Sequence, residues 1–220
     1  MSKEMTAGVS SNLPAYMTEA DANLGNENVS SSDVQVPRAT LLQAMSPELK
    51  KTHSKYIPGA EAGKIAVGDQ LYDSVNLMNL YYEKEWTIFD ANRRFVATFG
   101  SQTEAQNYIE VNGLDPNQNR IVETAKHACL QVNDEGVVMG PVVVLMSSTK
   151  LRISQEWNTK IIQTNAPRFG SIWKLGVAEE TNPKGTFYNF TIDFVGFPES
   201  QETYEFAKTQ YELVAPAKAA

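Results

Sequence analysis

Four turn signals cut the chain into short apolar runs, and this punctuation constrains the fold more than any other feature. Pro58-Gly59, Asp90-Ala91-Asn92, Asn133-Asp134-Glu135-Gly136 and Asn182-Pro183-Lys184-Gly185 each combine residues that favour tight reversals. Between and around them lie segments that read as strands: 69–82, two around the 90–92 loop within 85–99, 137–146, 169–178 and 185–197, together with 121–132, whose periodicity also suits a helix but whose neighbours favour a strand. Three segments carry helical spacing instead. Residues 103–112 have a polar start and Ala105, Tyr108 and Ile109 on one face; residues 147–165 bring Leu151, Ser154, Trp157 and Ile161 to one side; residues 199–214 form a stripe of Tyr204, Ala207, Tyr211 and Val214. Several strands in a row with helices inserted predict an α+β fold, built on an antiparallel sheet or small barrel and ending in a helix.

The ends of the chain differ from its middle. Residues 1–33 are rich in Ser, Asn, Ala, Gly and Glu, with too little apolar surface to offset ordering entropy, and are read as a mobile polar arm. Residues 34–42 begin with alternation and contain Pro37, which suits an extended edge segment entering the fold. Ser46-Pro47-Glu48-Leu49 reads as a short helical turn, and 53–68 as turn-rich. One globular domain over 34–214 and a short tail over 215–220 complete the expected organisation.

Among 220 residues there is one cysteine, Cys129, so an internal disulfide is excluded and a reducing compartment fits. No apolar run approaches the roughly 20 residues of a membrane span, and the first residues lack a signal-peptide pattern; the expectation is a cytoplasmic protein without membrane contact. His127 and Cys129 share one side of a strand without a second ligand pair, so no zinc site is expected. The 59–65 loop is one residue short of a phosphate loop and lacks Ser or Thr after Lys64. Ser147-Ser148-Thr149-Lys150 has a nucleophile-like spacing without the companion motifs of that enzyme class. The sequence therefore predicts no cofactor, and no enzyme.

Charge points elsewhere. The chain has a formal net charge of −7, yet residues 147–174 are net +4, with Lys150, Arg152, Lys160, Arg168 and Lys174 against Glu156 alone. Trp157, Phe169 and Trp173 lie among these cations. Cations interleaved with flat rings suit single-stranded nucleic acid, whose phosphates need positive charge and whose bases stack on aromatic faces. A second group, Tyr81, Tyr82, Trp86 and Phe89 followed by Arg93 and Arg94, repeats the pattern. The competing reading makes the aromatics core residues of ordinary elements and the cations their solvated rims.

The segments VPRATLLQAMSP (36–47), YIPGAEAGKI (56–65), NLYYEKEW (79–86), STKLRISQEWNT (148–159) and NPKGTFYNF (182–190) resemble those of a family of bacteriophage single-stranded DNA-binding proteins found in replication gene neighbourhoods. The resemblance runs from Leu13-Pro14-Ala15-Tyr16 to the final helix. It implies an oligonucleotide-binding barrel, single-stranded DNA as partner, a role in phage DNA replication or recombination, and contacts with phage replication or recombination proteins or a second copy. Many such proteins carry an acidic C-terminal tail that recruits partners, whereas the last residues here, Val214-Ala215-Pro216-Ala217-Lys218-Ala219-Ala220, depart from that pattern, so tail-mediated recruitment is not expected. The expected site comprises Lys150, Arg152, Lys160, Arg168 and Arg93 or Arg94 on the backbone, with Trp86, Trp157, Phe169 and Trp173 available to stack. The rivals are a virion structural or assembly protein, and an enzyme of nucleotide metabolism or a nuclease.

Overall fold

A computed structural model describes residues 33–183 and 185–215, together with Leu24, Gly25, Asn28 and Val29. Most of the polar arm, the turn residue Lys184 and the tail beyond Ala215 therefore lie outside the described residues.

Among the described residues nine strands form one sheet: β1 (Arg38–Leu41), β2 (Ile65–Val67), β3 (Gln70–Tyr72), β4 (Val75–Phe89), β5 (Phe95–Phe99), β6 (Arg120–Val132), β7 (Val138–Ser147), β8 (Ile172–Asn182) and β9 (Gly185–Gly196). Three α-helices of the described residues join them: α1 (Gln102–Val111), α2 (Leu151–Gln163) and α3 (Gln201–Val214). The spatial order is β3-β2-β1-β7-β6-β4-β8-β9, with β5 on β4. Every pairing is antiparallel except β1 with β7. The mixed α+β class and the antiparallel character of the sheet agree with the sequence reading.

Two local expectations change. The segment leading to Leu41 is not an edge, because β1 lies between β2 and β7. Pro37 is accommodated since its carbonyl accepts from Val143 N, a bond that needs no donor from proline. The supposedly turn-rich stretch before Gly68 contains β2, and β3 follows it; Ile65, Ala66 and Val67 are all buried, a short apolar run without alternation.

The long strand β4 organises the molecule. One edge pairs with β6 over its whole length. The other is shared, with β8 on 75–78 and β5 on 86–89. A bulge at 79–81 shifts the register against β6, and consecutive Leu80 and Tyr81 then pack into the same apolar cluster, which an alternating strand does not allow.

The sheet curls around its main core. Ala39, Leu41, Ile65 and Val67 at one end share a cluster with Phe190 and Ile192 at the other, and α2 fills the hollow with Ile153, Trp157 and Ile161. The ends meet through a side-chain clasp. The Gln43 amide donates Nε2 to the Tyr188 carbonyl at 2.8 Å and accepts from Tyr188 N–H at 3.0 Å, as a neighbouring strand would. Gly63 sits beside the same tyrosine with φ +88°, and a Cβ there would lie 2.9 Å from the ring. Outside the curl, α3 covers Met78, Leu80, Leu130 and Val132 with Ala207, Tyr204 and Tyr211. Near the far end of β4, α1 packs Ala105 and Ile109 on Ile88. Its start is fixed by a capping box between Ser101 and Glu104, and that of α3 by the Ser200 hydroxyl accepting from Glu202 and Thr203 N–H.

Candidate nucleic-acid interface

The positive segment 147–174 folds as the end of β7, a helical turn at Ser148–Lys150, α2, a second turn at Arg168–Gly170 and the start of β8. Ile153, Trp157 and Ile161 recur every four residues, so α2 presents them together to the sheet. Trp157 is 0% exposed and stacks on the His127 ring with centroids 4.6 Å apart. Trp173 is 1% exposed, donates Nε1–H to Ser171 Oγ at 2.8 Å and meets Phe194 edge-on. Phe169, 8% exposed, lies against Tyr204 and Tyr211. The three rings expected to stack on bases are core residues.

The cations of this segment are engaged separately. Arg152 pairs with Glu180 at 3.0 Å. Lys160 pairs with Glu156 at 2.7 Å and donates to the Ile192 carbonyl at 2.8 Å. Lys150 is half-buried with Nζ 5.8 Å from the Phe190 ring centroid, and burial draws its pKa below the usual lysine range. Arg168 donates to Asn158 Oδ1 at 2.8 Å and lies 5.5 Å from the Tyr82 ring centroid. Lys150, Arg152, Lys160 and Arg168 thus do not converge with exposed rings in one channel.

Beneath them runs a buried polar chain. His127 Nε2 bonds Ser154 Oγ at 2.8 Å and Nδ1 bonds the Asn79 amide at 2.9 Å, while Tyr82 and Trp157 pack on the ring. Burial, reinforced by the positive Arg168, pushes the imidazole pKa down to about 3, so the ring is neutral at ordinary pH. The order Ser, His, Asn resembles a hydrolase relay. Asn79, His127 and Ser154 are all buried, however, and what they do here is fasten α2 to β4 and β6. Cys129, two residues along β6, is equally enclosed, and burial pushes its thiol pKa up.

The second group has a different fate. The loop between β4 and β5 is a turn in which Asp90 Oδ1 accepts from Asn92 N–H and Arg94 N–H, each at 2.8 Å, and Arg93 takes a left-handed φ of 62°. Across the ladders Phe89 pairs with Phe95 on one side and Arg120 on the other. A concavity of about 550 Å³ opens there, lined by Phe89, Asp90, Arg93, Asn117, Gln118, Arg120 and Val122 among others. Phe95 is 66% exposed beside it. Arg93, Arg94 and Arg120 are exposed, and among the described residues none of them forms an ion pair.

Strand alternation separates this face from the one α1 covers. Ile88 and Ile121 oppose each other on the α1 side, whereas Thr87 with Val122, and Phe89 with Arg120, belong to the open side. Trp86 shares the parity of Ile88 and packs in the α1 cluster, so it stands behind the arginine face and not on it. Farther along the same strands, cations are neutralised: Lys84 meets Glu123 at 2.6 Å, and Lys126 sits between Glu83 and Glu85 at 2.8 and 2.9 Å. The sequence reading found Arg93 and Arg94 but missed Arg120 and Phe95. The hairpin signal at 90–92 could have placed Phe95 near Phe89, whereas Arg120 arrives only through the long β4–β6 ladder.

Among the described residues no helix is long and apolar enough to cross a membrane. No curated protein and no solved structure matches the chain. A family model described as Pam3 phage gp34-like protein matches residues 4–220, almost the entire sequence, and the chain belongs to that phage protein family.

Proposed function

We propose that this phage protein binds single-stranded DNA without catalysis, in support of phage DNA replication or recombination, and that it grips the strand at the end of β4, β5 and β6. One observation carries the reading: in a chain of net charge −7, Arg93 and Arg120 line an open concavity with Phe89, the exposed Phe95 pairs with Phe89, and Arg94 lies in the adjoining turn, all three arginines being free of ion pairs among the described residues. Arg93, Arg94 and Arg120 supply phosphate contacts, and the two phenylalanines supply stacking worth about 1–3 kcal/mol per base. The curled sheet is compatible with the oligonucleotide-binding barrel implied by the sequence resemblance, elaborated beyond the five strands of that barrel. On this reading the protein acts in the host cytoplasm, beside replication or recombination proteins of the phage.

The test is fluorescence anisotropy of labelled oligo-dT at increasing salt. With three phosphates neutralised, log affinity falls against log salt with a slope of about −2. The combined variant R93A/R94A/R120A loses at least about tenfold in affinity, and its slope moves toward zero at an unchanged melting temperature. A flat wild-type signal at low salt, or full affinity in the variant, refutes the proposal. A second reading, a virion assembly protein, is favoured by exposed Phe194, Val195 and Phe197 at the end of the outer strand β9, and a flat signal promotes it.

A further inference from the structure

Between the β8-paired and β5-paired parts of β4, the strand edge is left to the Arg168–Gly170 turn and α3. A concavity of about 400 Å³ lies there, with Tyr81, Tyr82, Phe169 and Tyr211 as walls and Arg168 among them. The bulge at 79–81 turns Tyr81 to the same side as Leu80 and so adds an aromatic ring to this wall.

Arg168 is the anomaly of the site. Its guanidinium is half-buried, Nη2 is bonded to the neutral Asn158 amide oxygen, and Nη1 is buried with no hydrogen-bond partner among the described residues. No carboxylate pairs with it among the described residues. Desolvation works against the charge and draws its pKa down. A cation removed from water without a counter-ion is destabilising, and a guanidinium suits phosphate through its planar fork.

We infer that this pocket is a ligand site for a phosphorylated nucleoside, in which Arg168 supplies the counter-charge for the phosphate and the tyrosine-rich wall receives the flat base. Both halves of the ligand are required: inorganic phosphate leaves the aromatic wall unfilled, and an uncharged nucleoside leaves Arg168 uncompensated. The volume falls in the range of small-molecule sites, roughly 300–1,000 Å³. The same chemistry has two sources, a free nucleotide or the phosphorylated end of a DNA strand. The inference does not rest on the Arg93, Arg94 and Arg120 face.

Calorimetric titration of the full chain with dTMP tests it, beside thymidine and inorganic phosphate. Saturable binding of dTMP is expected, with each fragment at least about tenfold weaker. Arg168→Met abolishes dTMP binding while holding or raising the melting temperature, because an uncompensated buried charge is replaced by an apolar stem. R93A/R94A/R120A binds dTMP as the wild type does. A preference for 5′-phosphorylated over 5′-hydroxyl oligo-dT that vanishes in Arg168→Met assigns the site to strand ends; equal affinity for both oligonucleotides with dTMP binding intact assigns it to the free nucleotide. Absence of wild-type dTMP binding at millimolar concentration, or equal binding of thymidine, overturns the assignment, and the wild-type titration decides even if Arg168→Met does not fold.

Discussion

Acidification should unload a specific part of the core. His127 is enclosed between Tyr82 and Trp157, with both ring nitrogens bonded to buried groups, and its folded-state pKa is lowered to about 3. In the unfolded chain a histidine titrates near ~6.5. Below that value the unfolded state takes up a proton that the folded state refuses. The contribution of the neutral ring is therefore fully present above ~6.5 and is lost as pH falls toward the folded value, at about 1.4 kcal/mol per pH unit. Between pH ~6.5 and ~5 this amounts to about 2 kcal/mol. Urea unfolding followed by tryptophan emission reads the change directly, since Trp157 lies on the titrating ring. His127→Gln provides the reference: it is less stable at neutral pH by about 1–3 kcal/mol, through lost hydrogen bonds, but lacks the histidine part of the acid slope. Carboxylates contribute to both proteins, so the difference between their slopes isolates His127. Identical slopes, or a His127 ring signal that titrates near neutrality in the folded protein by NMR, refute the reasoning.

Gln43→Ala removes both bonds of the clasp and leaves the Tyr188 N–H and carbonyl without these partners; a loss of about 1–3 kcal/mol in urea unfolding and faster amide exchange at Tyr188 are expected, and an unchanged midpoint contradicts the clasp. Burial raises the Cys129 pKa, so the native thiol should resist a disulfide reagent at neutral pH and react at once in urea; comparable rates in the two states contradict its enclosure.

Local order was legible in the sequence to the extent that it depends on neighbours. Asp90-Ala91-Asn92 marks the hairpin between β4 and β5, the spacing of Ala105, Tyr108 and Ile109 marks α1, and Ser200 precedes α3 as a capping residue should. The core role of Trp157 was also readable, because Trp157 and Ile161 share a helical stripe. What neighbours cannot reveal is who neutralises whom. Arg152 is 28 residues from Glu180, and Lys160 is 32 residues from the Ile192 carbonyl, so a segment that is basic in sequence is largely quenched in space. The reverse holds for Arg120, unremarkable in its own stretch and brought beside Phe89 by a ladder of thirteen paired positions. The interior place of β1 escaped for the same reason: its partner β7 lies roughly a hundred residues away.

The two bonds between Gln43 and Tyr188 span 145 positions of the chain. As a ribosome extends the polypeptide from its N-terminus, β1 emerges early, and its parallel partner β7 follows only after most of the sheet has been made. The clasp cannot form until β9 has left the exit tunnel. Up to that moment the strands already made lack Phe190 and Ile192, which share their core, and the border that β9 will cover is a template for unwanted pairing. A translation product halted before Tyr188 has the tryptophans of its interior but no means of locking the wall around them.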